Sequence, residues 1–109
     1  MTIQVHTSGF TADEKLVQFI ETKLSKLGKF YDKIMEIDVY LKLESHSKIK
    51  DKTIEIRTHI PGDTLFAIEK AMSFETAINY VFEIAKSQLK KKKEKTKEIK
   101  KQLLQKQSE

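Results

Sequence analysis

The stretch from Ser73 to Leu104 constrains the fold most, because its hydrophobic pattern changes halfway along. In its first half, apolar residues recur at steps of three and four, the spacing that lines up one face of an α-helix. These residues are Phe74, Ala77, Ile78, Val81, Phe82, Ala85 and Leu89. Lysines stand at 92 and 93, where the apolar stripe would continue. The sequence therefore predicts a long helix whose buried face ends near Leu89.

The second half of this helix is strongly basic. Residues 86–106 contain ten lysines and two glutamates. At about 100° per residue, five of these lysines fall in one narrow sector and form a row along the helix axis. The row consists of Lys86, Lys90, Lys93, Lys97 and Lys100. Such a row is typical of a surface that binds a polyanion, and a solvated or disordered tail is the alternative interpretation.

Charge is distributed unevenly along the 109 residues, although the net charge is only +5. Residues 1–85 carry eleven basic and thirteen acidic side chains, a net charge of −2. Residues 86–109 carry ten basic and three acidic side chains, a net charge of +7. A chain of this length is most simply one domain, and its basic end suggests nucleic acid or an anionic membrane surface as the partner.

The composition also excludes several classes of protein. There is no cysteine, so disulfides and thiolate chemistry are excluded. The segment from Met1 to His6 lacks the charged and apolar regions of a signal peptide. No stretch approaches the roughly 18 apolar residues of a membrane span. We therefore expect a soluble cytoplasmic protein.

Three segments alternate between apolar and polar residues, which is the period of a half-buried strand, and a shorter fourth segment alternates more weakly. They are residues 2–6, 34–44, 53–60 and 64–68. In the longest segment, alternate residues from Ile37 to Leu43 are predicted to point inward, so the other face of the sheet is predicted to be exposed to solvent. The Pro-Gly-Asp sequence at residues 61–63 predicts a turn between the last two strands.

A first helix is predicted between the first two strands. Thr11 stands three residues before Glu14, the spacing of a capping box, and Gly28 suits the left-handed residue that ends many helices. The residues predicted to be buried recur at helical steps and are Leu16, Val17, Ile20, Leu24 and Leu27. Lys23 and Lys26 lie on one flank of this stripe and make that flank basic.

The element order β-α-β-β-β-α predicts an α+β fold with a four-stranded mixed sheet. The first two strands, joined through a helix, are predicted to be parallel, and the last three to form an antiparallel meander. Both helices are predicted to pack on one face, because only one face of the central strands is apolar. We expect one domain over residues 1–93, followed by a basic C-terminal extension, helical or disordered, over residues 94–109.

No catalytic motif is present in the sequence. Its three glycines, Gly9, Gly28 and Gly62, form no phosphate-binding loop, and no nucleophile stands in a triad pattern. Asp38 and Glu55 are predicted to share the exposed face of the sheet, where surface ion pairing is the expected role. We therefore expect a protein that is not an enzyme and needs no cofactor.

The histidines predict no metal site. His6, His46 and His59 lie on different predicted elements, without the spacing of metal ligands and without a cysteine to join them.

The aromatic residues and the single arginine limit the kind of nucleic acid expected. The phenylalanines are predicted to lie mainly in the core or at the ends of elements, and they are Phe10, Phe19, Phe30, Phe66, Phe74 and Phe82. Only Tyr40 is predicted to face out from the sheet, whereas single-strand binders offer several exposed rings. Arg57 is the only arginine, which argues against bidentate reading of bases in a groove. The lysine row therefore favours contact with the phosphates of structured RNA.

Several segments resemble a family, the ribosome hibernation-promoting factors, also called ribosome-associated inhibitors or ribosome-subunit-interface proteins. Residues 22–27, Thr-Lys-Leu-Ser-Lys-Leu, and residues 30–34, Phe-Tyr-Asp-Lys-Ile, resemble the end of their first helix. Further similar segments are residues 39–44 in the second strand, 60–62 in the turn, and 77–79 and 88–91 with Lys93 in the last helix. The resemblance covers about residues 1–95, and the predicted order of strands and helices is the family's order too.

This resemblance implies binding in the decoding channel of the small ribosomal subunit, over the sites for transfer RNA and messenger RNA. Translation would thereby be silenced in resting or starved cells. The basic positions that the resemblance carries over are Lys23 and Lys26 in the first helix and Lys90, Lys91 and Lys93 in the last. Lys86 and Lys97 are added from the lysine row.

The sequence also departs from the family. The family commonly has Lys-Leu where this chain has Ile84 and Ala85, and an arginine where it has Ser87. One phosphate contact would therefore have to come from Lys86 or Lys90 nearby. The linker and additional domain of the long members are not seen, so we expect a short form that does not pair ribosomes through a second domain of its own.

Our hypothesis is a ribosome-binding inhibitor that docks a basic helical surface on ribosomal RNA and blocks the channel sterically. We expect no DNA partner, no membrane partner and a monomer when free. A generic double-stranded-RNA binder is the first alternative, because a three-stranded meander followed by a helix resembles that module. The second alternative is a protein-interaction module whose last helix coils against a partner through Ile99 and Leu103.

Overall fold

Four strands form one mixed sheet in the order β1-β2-β3-β4. The computed structural model describes residues 1–44 and 51–107, with side chains as far as residue 96. The strands are β1 (Thr2–Ser8), β2 (Glu36–Leu43), β3 (Lys52–Ile60) and β4 (Asp63–Ala71). β1 runs parallel to β2, and the pairs β2–β3 and β3–β4 are antiparallel. The predicted α+β fold and mixed sheet are confirmed.

Two helices cover one face of this sheet. They are α1 (Glu14–Ser25), followed by a 3₁₀ turn (Lys26–Lys29), and α2 (Phe74–Gln107). α2 packs against β3, β4 and α1. The core between the layers contains Ile37 and Val39 of β2 and Ile54 and Ile56 of β3, all fully buried. The alternating pattern thus identified the buried face, but Leu43 at the end of β2 is 41% exposed, because the pattern does not show how far the covering layer extends.

The ends of the first helix differ from the prediction. Asp13, rather than Thr11, is the N-cap, since its side chain accepts a hydrogen bond from the backbone N–H of Lys15 at 3.2 Å. A carboxylate is a strong cap, so the helix begins two residues later than a Thr11 cap would allow. Gly28 lies inside the 3₁₀ turn without a positive φ, because that turn continues the right-handed chain and needs no left-handed residue. Gly62 in the predicted turn does have a positive φ, of 79°.

α2 begins at a serine cap and continues well beyond the core. The Oγ atom of Ser73 accepts a hydrogen bond from the backbone N–H of Thr76 at 3.1 Å. Fully or nearly fully buried residues then recur along α2 as far as Leu89, as predicted. The helix has 34 residues, which corresponds to about 51 Å, and the longest dimension of the molecule is 62 Å. None of the described helices has an apolar stretch that could cross a bilayer.

Candidate RNA-binding surface

Lysines from both helices hold their ammonium groups over aromatic rings where α1 and α2 meet. Lys23 Nζ of α1 lies 4.5 Å from the centroid of the Phe82 ring of α2. Lys86 Nζ and Lys90 Nζ of α2 lie 4.8 Å and 5.4 Å from the centroid of Phe30, which follows the 3₁₀ turn after α1. A cation within about 6 Å of a ring centroid is attracted by the ring quadrupole. The rings therefore fix three positive charges at the seam between the helices.

Six lysines with described side chains belong to the predicted site, and we call them the basic surface. They are Lys23, Lys26, Lys86, Lys90, Lys91 and Lys93. None of them forms an ion pair with an acidic side chain within residues 1–44 and 51–96. The side chain of Lys97, the seventh predicted residue, and that of Lys100 lie outside the described residues. The ammonium groups of the basic surface are thus not used in ion pairs within the described part of the fold.

Lys92 contrasts with its neighbours on α2. Its Nζ atom lies 2.7 Å from Asp63 Oδ2 at the start of β4. The hydrogen bond from Lys92, followed by that from the backbone N–H of Thr64, holds the pKa of Asp63 below its ordinary value. Lys92 therefore links α2 to the start of β4 by an ion pair, on the side of α2 that faces β4.

A shallow groove lies along α2 beside the lysine row. It has a volume of about 410 Å³ and is lined by Glu83, Lys86, Ser87, Lys90, Lys91 and Glu94. Lys91 lies about 140° around the helix from Lys86, so it reaches this groove from the opposite margin and does not extend the row. Ser87, where the family commonly has arginine, has Lys86 and Lys90 beside it in the groove. Two carboxylates at the groove reduce its positive potential without pairing directly with the lysines.

The face of the sheet opposite the helices, which we call the open face, carries a row of stacked side chains. His6 stacks on Tyr40 with ring centroids 4.8 Å apart. The Arg57 guanidinium lies 4.7 Å from the centroid of Tyr40 and 5.7 Å from that of Phe66. The prediction that the phenylalanines lie mainly in the core or at the ends of elements is wrong for Phe66, which is 57% exposed, and for Phe19 within α1, which is 39% exposed. The β3–β4 register places Phe66 opposite Arg57, and the weak alternation of β4 did not indicate this face.

The open face also brings together carboxylates and histidines that the sequence did not place near one another. Glu55 pairs with Arg57 at 3.2 Å, as expected for a surface carboxylate. Asp38 accepts hydrogen bonds from His59 and His6, which hold its pKa below the ordinary value. Residues far apart in the sequence meet here through strand pairing, so their spacing along the chain gave no sign of the cluster.

Relatives of this chain were found both by sequence and by structure. The ribosome hibernation promoting factor of Salmonella typhimurium is 28% identical over 98 residues, which cover 88% of this chain and 99% of that protein. The ribosome hibernation promoting factor of Escherichia coli K12 is 26% identical, and the match covers 90% of this chain and 99% of that protein. The ribosome hibernation promoting factor of Klebsiella oxytoca is 30% identical over 80 residues, which cover 73% of this chain and 80% of that protein.

Solved structures share the fold. A ribosomal subunit interface protein from Coxiella burnetii superposes with a TM-score of 0.76 at 24% identity, covering 85% of this chain and 98% of that one. The N-terminal domain of Thermus thermophilus Protein Y gives a TM-score of 0.69 at 20% identity, covering 83% and 93%. Residues 3–97 match the family described as Sigma 54 modulation protein / S30EA ribosomal protein. The chain therefore belongs to this family, which confirms the resemblance drawn from its sequence.

Proposed function

We propose that this protein is a non-catalytic ribosome-binding inhibitor that docks its basic surface on ribosomal RNA of the small subunit. Occupancy of the channel for transfer RNA and messenger RNA then blocks translation sterically. The observation that carries this proposal is the arrangement of Lys23, Lys86 and Lys90 at the seam between the helices. Their ammonium groups lie over aromatic rings, and none of them forms an ion pair with a carboxylate of the described side chains.

The chemistry of the basic surface suits a phosphate backbone. An ammonium group is a compact charge without a planar geometry to satisfy, so it binds phosphate oxygens at many angles. Such contacts give affinity and orientation, but they do not read base sequence. Recognition by charge and shape is the usual mode for structured RNA. The names of the relatives, ribosome hibernation promoting factor and ribosomal subunit interface protein, support the ribosome as the source of that RNA.

The proposal needs no catalytic step, cofactor or second copy of the chain. Residues 1–93 act as the ribosome-binding domain, and residues 94–109 are its basic C-terminal extension. The protein works in the cytoplasm with the ribosomes, in cells whose translation is arrested by starvation or rest.

Co-sedimentation with small ribosomal subunits over a salt series tests the proposal. The variant carries Lys86→Glu and Lys90→Glu, and the control carries Lys42→Glu and Lys70→Glu on the strands, with the same change in net charge. Each lost phosphate contact lowers the slope of log affinity against log salt by roughly 0.7 to 0.9. The variant should therefore bind at least about tenfold more weakly with a shallower slope, whereas the control should keep the slope of the parent. Equal losses in both would remove the basic surface from the mechanism.

Two further measurements distinguish this proposal from the two alternatives. Equal affinity for naked duplex RNA and for ribosomal subunits would indicate a generic double-stranded-RNA binder. Binding that persists at high salt and is lost on changing Ile99 and Leu103 to alanine would indicate a helix that coils against a protein partner.

A further inference from the structure

Three strands bring four potential metal ligands together on the open face. Glu36 and Asp38 are two residues apart on β2 and therefore point to the same side of the sheet. His59 of β3 lies directly opposite Glu36 in the β2–β3 register. His6 of β1 lies opposite Tyr40, one step diagonally from Asp38. The side chains thus converge around Asp38 from both neighbouring strands.

The distances within this cluster are short. His59 Nε2 lies 2.8 Å from Asp38 Oδ2, and His6 Nε2 lies 3.2 Å from Asp38 Oδ1. One ligand atom each from Glu36, Asp38 and His59 lies within 4.8 Å of the others. Two ligands bonded to one tetrahedral zinc ion at about 2.1 Å are roughly 3.4 Å apart. To bind one ion, the contact between His59 and Asp38 would open by roughly 0.6 Å, and the wider separations, which reach 4.8 Å, would close by side-chain rotation.

The orientation of His59 matches that of a metal ligand. Its Nδ1 atom lies 3.1 Å from the hydroxyl oxygen of Thr64, so the ring presents Nε2 to the carboxylates. Metal-binding histidines generally have their second ring nitrogen held by such a hydrogen bond. The side chains of His59 and Asp38 are 27% and 16% exposed, so the cluster is sheltered but open to an ion from solvent.

Glu36 distinguishes this cluster from a plain histidine–aspartate ion-pair network. Within the described residues it forms no hydrogen bond or ion pair through its side chain, although it lies next to both partners of the closest pair. The carboxylate of Glu36 is thus available as a third ligand beside the histidine–aspartate pair.

We propose that Glu36, Asp38 and His59 form a site for a divalent transition-metal ion, with zinc the best match and His6 in reach as a fourth ligand. An imidazole nitrogen with carboxylate oxygens suits zinc, whereas calcium and magnesium prefer sites made only of oxygen atoms. The ion links β2 to β3 and, through His6, to β1. The site lies on the opposite side of the sheet from the helices and is independent of the proposed ribosome binding.

Titration of the full chain with ZnCl₂, and with CoCl₂ as a spectroscopic probe, tests this site. Calorimetry gives the affinity, and the visible absorption of cobalt reports its coordination. Glu36→Gln and His59→Gln should each weaken zinc binding by at least about tenfold, and Thr64→Val should weaken it by roughly tenfold through the orientation of His59. Glu55→Gln, on the same face but outside the cluster, should bind zinc like the parent.

Saturable binding of one zinc ion, with losses confined to the cluster variants, supports the proposal. Zinc should also raise the unfolding temperature of the parent more than that of Glu36→Gln, because stabilisation by a ligand grows with its affinity for the folded state. Glu36→Gln removes no hydrogen bond of the described fold, so its circular dichroism spectrum should match that of the parent. Equal zinc affinity in Glu36→Gln, His59→Gln and the parent would overturn the site, and so would the absence of saturable binding.

Discussion

Lys23 of α1 holds its ammonium group 4.5 Å from the centre of the Phe82 ring of α2, so a single contact both joins the two helices and fixes a positive charge at their seam. Lys86 and Lys90 repeat this arrangement on Phe30. Lysine side chains lose conformational entropy when they bind, and charges that are already positioned lose less of it. The rings beneath the lysines should therefore contribute to RNA affinity without contacting RNA.

Phe30→Leu should weaken binding to small subunits by about threefold, since cation–π contacts at exposed sites contribute roughly 0.5 to 1 kcal/mol. The salt dependence should stay that of the parent, because every lysine remains. Co-sedimentation over a salt series measures both quantities. Phe66→Leu on the open face is the matched control and should bind like the parent. A shallower salt slope for Phe30→Leu would show that the ring does more than position the lysines.

Lys92 and Lys93 are neighbours that should behave differently. Lys92 is paired with Asp63, whereas Lys93 is exposed and lies in the lysine row. Lys93→Gln should weaken ribosome binding and reduce the salt slope by about one, whereas Lys92→Gln should change affinity by less than about twofold. The same sedimentation assay compares them. If the two variants lost equal affinity, net charge and not position would govern binding.

The pair of Lys92 and Asp63 also predicts an effect of pH on stability. Because the pKa of Asp63 is lowered in the folded state, its contribution to stability is present above the ordinary value of 3.8 and is lost as the pH falls through the folded-state pKa. Asp63→Asn should therefore lower the unfolding temperature near pH 6 and have a smaller effect near pH 2. Thermal unfolding followed by circular dichroism at both pH values measures the difference. Lys92→Gln, which breaks the same ion pair, should show the same dependence on pH.

Leu89 is the last residue of α2 that is fully buried in the described part of the chain. Leu89→Ala should reduce the free energy of unfolding by about 2 to 5 kcal/mol, because it leaves a cavity against the sheet. A chain ending at residue 96 keeps the predicted domain and should lose less than about 0.5 kcal/mol. Urea unfolding measures both. A large loss on truncation would mean that the domain extends beyond the predicted residue 93.

The fold was largely predictable because each element carries its own pattern. The alternation around Val39 and Ile56 indicated a sheet with one buried face, and the helical spacing up to Leu89 indicated where the core ends. The exact ends of the first helix were harder to predict from the sequence. The choice of Asp13 as a cap and the 3₁₀ turn around Gly28 depend on how the chain enters and leaves a helix, and several residues nearby suit either role.

The candidate site was only partly predictable. The helical spacing of Lys86 and Lys90 indicated their common face, but their contact with Phe30 depends on how the two helices pack. The cluster of His6, Asp38 and His59 depends on strand register, which no local pattern contains. Contacts between elements are thus the part of the site that sequence spacing could not supply.

A cryo-electron microscopy structure of the chain on small ribosomal subunits tests the central claim most directly. The proposed function predicts that the seam between α1 and α2 faces ribosomal RNA in the channel, with Lys23, Lys86 and Lys90 within about 4 Å of phosphate oxygens. A complex in which the open face of the sheet contacts the RNA, while these lysines face solvent, would contradict it.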